Sequence, residues 1–176
     1  QNSQNQGWLG FLSFSFVRQG FRTVVKNKRH KGPLVLQRPY YQEVNRPSVL
    51  IIHSPGGIVG GDELDINIHC FQETEALVST PAVTMFYRSD RRLAQQRQTI
   101  KLTEKVCLEW LPQETLFFNS SWSQNRLKFE LESADNKLIA WDIVGLGRPA
   151  SGEGFELGEL SQSLEVWIAG ELVFLD

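Results

Sequence analysis

The 176-residue sequence is poor in the residue types that most chemistry needs. It holds only two cysteines, Cys70 and Cys107, and three histidines, His30, His53 and His69. Two distant cysteines make neither a C-x-x-C pair nor a disulfide framework, and point to a reducing, cytoplasmic setting. No G-x-S-x-G elbow occurs, so the histidines have no nucleophile-bearing turn to serve. No H-x-H, H-E-x-x-H or C-x-x-C supplies two metal ligands at binding spacing, and adjacent His69 and Cys70 face opposite sides of a strand. No apolar run approaches the roughly 18 residues of a membrane span. Neither sign of charge dominates: the formal net charge is −2, which implies no nucleic-acid or membrane partner. A basic run at residues 26–31 reads as a solvated turn, because no aromatic-interleaved basic face extends it. No charged segment leads into an apolar stretch at the start, so no signal peptide is read there. The absence of an initial Met, and the stop at Asp176 just after an apolar strand-like run, read as a piece of a longer chain.

What the sequence does have is apolar and aromatic material in alternation. Hydrophobic residues make up 41%, with eleven Phe and five Trp, enough for one buried core in a single domain. Residues 1–7 are polar and expected to be disordered, and residues 8–176 are expected to form a single β domain. Phe14 and Phe16 alternate with Ser13 and Ser15. Gln98, Ile100 and Leu102 oppose Arg97, Thr99 and Lys101, and Leu127, Phe129 and Leu131 oppose Lys128, Glu130 and Glu132. Such period-two runs predict strands. One short helix is predicted over residues 81–95, from the spacing of Val83, Phe86, Tyr87 and Leu93. The expected fold is all-β: many short, mostly antiparallel strands in a sandwich or β-helix-like arrangement, with at most one or two short helices. No fixed-period repeat is visible.

The stretch around which the chain is organised runs from Ser48 to Cys70. An apolar strand enters a turn with two glycine pairs, Gly56-Gly57 and Gly60-Gly61, and the alternating run Leu64-Asp65-Ile66-Asn67-Ile68 leaves it. The spacing G-G-x-x-G-G-D matches neither a dinucleotide fingerprint nor a P-loop, and no Lys-Ser or Lys-Thr follows. A strand rather than a helix comes next, so no helix N-terminus awaits an anion, and Asp62 would repel one. Nucleotide binding is excluded on these grounds.

Several polar residues stand inside apolar runs: Ser79-Thr80 closes one, Glu109 lies between Leu108 and Trp110, and Asp142 follows Trp141. Two readings stay open for them: solvent-facing positions on half-buried strands, or side chains converging on a polar interior. Glu109 and Glu114 could pair as catalytic carboxylates, but their spacing across Pro112 does not place them face to face. The Trp and Tyr residues could instead stack on a carbohydrate.

The motifs then fall into a familiar order. They are Arg22-Thr23, Gly32-Pro33-Leu34, Gln37-Arg38-Pro39-Tyr40, the run from His53 to Asp62, Thr80-Pro81-Ala82, Phe86-Tyr87-Arg88, the run from Glu109 to Glu114, Gly147-Arg148-Pro149, and Gly152-Glu153 with Phe155. Over residues 18–175 this resembles the UreD/UreH family of urease accessory proteins. The resemblance implies a non-enzymatic chaperone of metallocentre assembly in nitrogen metabolism, with no catalytic or cofactor-binding residues and no permanently bound cofactor. Implied partners, in a hetero-oligomeric complex, are apo-urease, the helical protein UreF and the GTPase UreG, which itself binds the GTP. Nickel would be in transit through an internal polar tunnel toward the urease active site, with no permanent metal site. Asp62, Ser79, Thr80, Glu109, Asp142 and Glu153 are the candidates to line or shape that passage. Weak carboxylate and hydroxyl contacts suit a conduit, since tight chelation would stall the ion. Ser79-Thr80-Pro81 stands where the family has a Thr-Thr-Pro-type element, which keeps the hydroxyls. Family members run on beyond the point where this chain ends, so a C-terminal portion, and some UreF-binding surface with it, is expected to be missing.

Overall fold

Apolar side chains at every second position build sixteen strands and one 3-10 turn, Pro149–Ser151, over residues 7–176, the part of the chain described by a computed structural model. Residues 1–6, most of the segment expected to be disordered, lie outside the described residues. The first five strands are β1 (Leu9–Gln19), β2 (Arg22–Lys31), β3 (Leu34–Leu36), β4 (Tyr40–Glu43) and β5 (Arg46–His53). The chain then winds three times through the same three sheets. The first coil is β6 (Glu63–Cys70), β7 (Glu75–Ser79) and β8 (Thr84–Phe86). The second is β9 (Ala94–Leu102), β10 (Cys107–Trp110) and β11 (Thr115–Phe117), and the third is β12 (Ser121–Leu131), β13 (Lys137–Ala140) and β14 (Val144–Leu146). Finally β15 (Gly158–Ile168) returns to the first sheet, and β16 (Glu171–Leu175) folds back on it.

The first sheet has the order β16-β15-β12-β9-β6-β1-β2, the second β13-β10-β7-β5-β3 with β4 on β5, and the third β14-β11-β8. This is the β-helix-like alternative. The expectation of mostly antiparallel pairing is corrected: β1–β2, β3–β5, β4–β5 and β15–β16 are antiparallel, and the other nine pairings are parallel. A coil that revisits each sheet after one full turn must enter it in the same direction, which forces parallel neighbours.

Side chains stack in rows along the coil axis. Ile68, Ile100, Phe129 and Val166 are register partners across four strands of the first sheet, and Ala76, Leu108 and Leu138 form a matching row in the second. In the third sheet Phe86 lies on Phe117, with ring centroids 4.8 Å apart. These residues are buried or packed against the core, and full burial of one such side chain contributes about 1.5–3 kcal/mol. Cys70 joins them, and burial raises its thiol pKa; it and Cys107 are both free.

Two further expectations are corrected. Residues 81–95 form no helix, because their backbone bonds run sideways between coils. Thr84 N–H donates to the Glu114 carbonyl at 3.0 Å, and Tyr87 N–H to the Ile58 carbonyl at 2.9 Å. Residues 26–31 are not a turn but the exposed half of β2, bulged at Asn27, whose φ is 55°.

Candidate functional site

The glycine-rich turn joins β5, in the second sheet, to β6, in the first, and it is held from inside by Asp62. That carboxylate is 4% exposed and accepts two backbone hydrogen bonds, from Trp8 N–H at 2.8 Å and Val59 N–H at 2.9 Å. Glycine is required where a Cβ would not fit: one built on Gly57 would lie 2.1 Å from the Tyr87 ring. Gly61 has φ 96°, a region that L side chains rarely adopt. The turn also carries His53 to the wall of an internal cavity. Burial lowers the His53 pKa, against a smaller upward pull from the Asp62 charge.

The cavity has a volume of about 260 Å³ and is lined from all three sheets. Its walls are mostly apolar, with Leu34, Ile51, Ile66 and Leu127 among them, but Thr80, Gln96, Gln98, Thr115 and Asp142 also reach it. Beside it runs a polar row in an otherwise apolar interior. Gln96, Asn125 and Gln162 are register partners on β9, β12 and β15, one per coil, all on the inward phase. Gln96 Nε2 donates to Asn125 Oδ1 at 3.1 Å, and at the far end Gln162 Nε2 donates to Asp142 Oδ2. Between them, Asn125 Nδ2 and Gln162 Oε1 are buried with no protein partner. Ser121 and Ser123, inward on the same strand as Asn125, are 0% and 2% exposed, and their hydroxyls are likewise unpartnered. Trp110 Nε1, on the cavity wall, is a further such group.

An unpaired buried polar group costs about 1–3 kcal/mol, and most in folded proteins are satisfied. Several of these groups lie along one axis, with donors and acceptors that no protein atom engages. Burial raises the Asp142 pKa; the Gln162 hydrogen bond pulls it back, and the Asp176 charge pushes it further up.

The six residues singled out by sequence are distributed unevenly about this interior. Thr80 and Asp142 line the cavity. Ser79 is adjacent, its hydroxyl donating to the Leu111 carbonyl at 2.7 Å, while Thr80 Oγ1 accepts Gln113 N–H at 3.0 Å. These bonds tie the Ser79-Thr80 corner to the next coil. Asp62 faces backbone N–H groups, that of Val59 in its own turn and that of Trp8 ahead of β1. Glu109 points away from the cavity and holds Arg46 in a two-pronged ion pair at 2.9 and 3.0 Å. Glu153 sits at the third-coil corner, paired with Arg148 and accepting Asn119 N–H at 3.1 Å; the Arg148 hydrogen bond holds its carboxyl below the usual range. Of the Glu109 and Glu114 carboxylates, the first is engaged by Arg46. Among the described residues no three His, Cys, Asp or Glu side chains converge as a metal-ligand group.

Sequence reasoning missed Gln96, Asn125, Gln162, Ser121 and Ser123. The signal was available: extending the inward phase of Leu127, Phe129 and Leu131 backward gives Asn125, Ser123 and Ser121 in turn.

Comparison with known proteins bears on this interior. A family model described as "UreD urease accessory protein" matches residues 9–176. The chain is 40% identical over 171 residues to a protein named "Urease accessory protein UreD" from Klebsiella aerogenes, covering 97% of this chain and 63% of that one. It is 43% identical over 160 residues to the protein of the same name from Alkalilimnicola ehrlichii, covering 91% of this chain and 54% of the relative. A third, from Aliivibrio fischeri, is 37% identical over 172 residues, 98% and 60% of the two chains. The chain thus spans a little over half to just under two thirds of the length of these curated relatives. It belongs to the UreD family.

Proposed function

We propose that this UreD-family chain is an accessory protein in urease maturation, a non-enzymatic scaffold whose interior conducts nickel toward the urease active site. Nickel is here a cargo, handed on and not retained. The observation that carries the reading is the row Gln96–Asn125–Gln162, one polar side chain on each of β9, β12 and β15 along the axis of the β-helix, ending on Asp142. Amides and hydroxyls are weak ligands for a divalent ion, and each can release it to the next as readily as it accepts it. His53, kept neutral by burial, and Asp142 give the cavity a lone-pair donor and one carboxylate. UreF, UreG and apo-urease are the proposed partners in a hetero-oligomer, with GTP bound by UreG and cytoplasm the setting. Exposed apolar residues on the last coil, such as Ile139, Ile143 and Leu146, fit a chain that works against other proteins.

The test is urease activation in cells lacking the gene, supplied with the full-length protein carrying Asn125→Leu. This variant keeps the branch point and heavy-atom count of the side chain and removes the polar middle of the row. Activation is expected to fall while the soluble, folded variant still co-purifies with UreF. Unchanged activation by a folded variant would overturn the conduit, and a wild-type protein that fails to retain UreF would overturn the partner assignment.

A further inference from the structure

The outer face of the first sheet carries a second polar feature, remote from the interior row. On β1 the outward residues are Ser13 and Ser15, on β6 Asn67 and His69, and on β9 Thr99 and Lys101. Ser13, Asn67 and Thr99 are register partners, as are Ser15, His69 and Lys101. Small side chains on β1 beside longer ones on its neighbours leave a hollow. The edge strand deepens it: Ser13 pairs with Arg29 but Ser15 with Lys26, so β2 carries one extra residue there, with Asn27 at φ 55°. A bulge of this kind bends the strand and re-aims its side chains. The result is an open groove of about 470 Å³ with Lys28 and Arg29 at the β2 end and Lys101 at the β9 end.

The charge of this groove is one-sided. No Asp or Glu is among its lining residues, although the whole chain has a formal net charge of −2. Lys26 and Lys31 stand on the same exposed half of β2. Lys101 has one carboxylate within reach, Glu130 at 3.4 Å, which is held more closely by Lys128 at 2.6 Å; exposed pairs of this kind are easily exchanged. On the floor His69 stacks against Phe71 with ring centroids 4.0 Å apart, and its Nε2 is buried without a protein partner.

The two cationic ends lie three strand spacings apart, from β2 to β9, which is about 14 Å. A single phosphate or carboxylate cannot touch both. An extended peptide rises about 3.3 Å per residue, so acidic side chains about four residues apart would reach both ends together. Nucleic acid would call for aromatic platforms in series, and the groove has only the His69–Phe71 stack. We propose that this groove docks an acidic, extended segment of a partner protein, with carboxylates held by Lys28 and Arg29 at one end and Lys101 at the other.

The competing account is that lysines on an edge strand only discourage edge-to-edge pairing. Fluorescence anisotropy of a labelled oligoglutamate peptide, titrated with the whole chain, separates the two. Saturable binding is expected, weakened about tenfold by the double change Lys28→Glu and Arg29→Glu. Lys101→Gln should also weaken it, which keeps the test open if the double variant misfolds. Lys137→Glu, on the second sheet, is expected to leave binding unchanged. Absence of saturable binding would overturn the proposal, and so would an equal loss with Lys137→Glu, which marks non-specific attraction. Displacement of the peptide by inorganic phosphate at matched charge would replace it with a point anion site, and tighter capture of an oligonucleotide of equal charge with a nucleic-acid surface. None of these outcomes touches the interior row, so the docking site and the conduit stand or fall separately.

Discussion

Replacing Asp62 with Ala should destabilise the protein by far more than its position in a surface turn suggests. The carboxylate accepts from Trp8 and Val59 N–H groups at 2.8 and 2.9 Å. Hydrogen bonds to a charged acceptor contribute about 1.5–3 kcal/mol each. Both donors belong to partly exposed residues that water can reach after the change, so the combined loss is discounted to about 2–4 kcal/mol. For a domain of this size that lowers the thermal midpoint by roughly 5–10 °C. Urea unfolding followed by tryptophan fluorescence would measure it, with Asp65→Ala as comparator. Asp65 makes an equally good two-pronged contact to Arg97, at 2.7 and 3.1 Å, but its side chain is 39% exposed and it should cost less than about 1 kcal/mol. Asp62→Asn should recover part of the loss, since its amide oxygen still accepts one N–H. If Asp62→Ala falls within about 0.5 kcal/mol of wild type, or costs no more than Asp65→Ala, the clamp is not what holds the turn. A defect in urease activation by Asp62→Ala would then need another origin than a loosened turn.

Two more perturbations probe the same region. Gly57→Ala should cost about 1–3 kcal/mol, because its Cβ would lie 2.1 Å from the Tyr87 ring, and Tyr87→Leu should return part of it in a double-mutant cycle; additive losses would show that the two do not meet. The His53 pKa is lower in the folded chain than its ordinary 6.5, so the unfolded chain takes up the proton first as pH falls. Stability contributed by neutral His53 is therefore complete above about pH 6.5 and declines below it; His53→Gln should flatten that part of a denaturation–pH curve, and an unchanged slope would assign the dependence elsewhere.

Alternation made the all-β class legible, because a strand with one buried face imposes period two whatever its neighbours do. Strand direction was not legible, since the same alternation serves a hairpin and a coil equally. The repeat was hidden by unequal corners. Register partners are 32, 32 and 31 residues apart between the first two coils, as in Ile68 with Ile100, Ala76 with Leu108 and Phe86 with Phe117. They are 29, 30 and 29 apart between the next two, and 37 apart for Leu127 and Leu164. The helix expected at residues 81–95 failed because Phe86 is spaced to stack on Phe117 and not to share a helical face with Val83. At the interior, Thr80 and Asp142 were legible as polar residues ending apolar runs. Glu109 looked the same in sequence, yet its strand phase turns it outward onto Arg46. The amides of the row went unread because Gln and Asn excite attention only once the phase of a strand is known.

One polar side chain per coil has a consequence for how such a protein can change over time. The interior row advances one strand per coil from β9 to β15, and each coil added or deleted within that span would alter it by a single step of about 4.8 Å. The corners, by contrast, absorb insertions without moving the row: eight extra residues between β14 and β15, relative to the preceding coil, leave Asn125 and Gln162 in register. Capacity and periphery are thus separable. The outside can be rewritten for new partners while the inside keeps count.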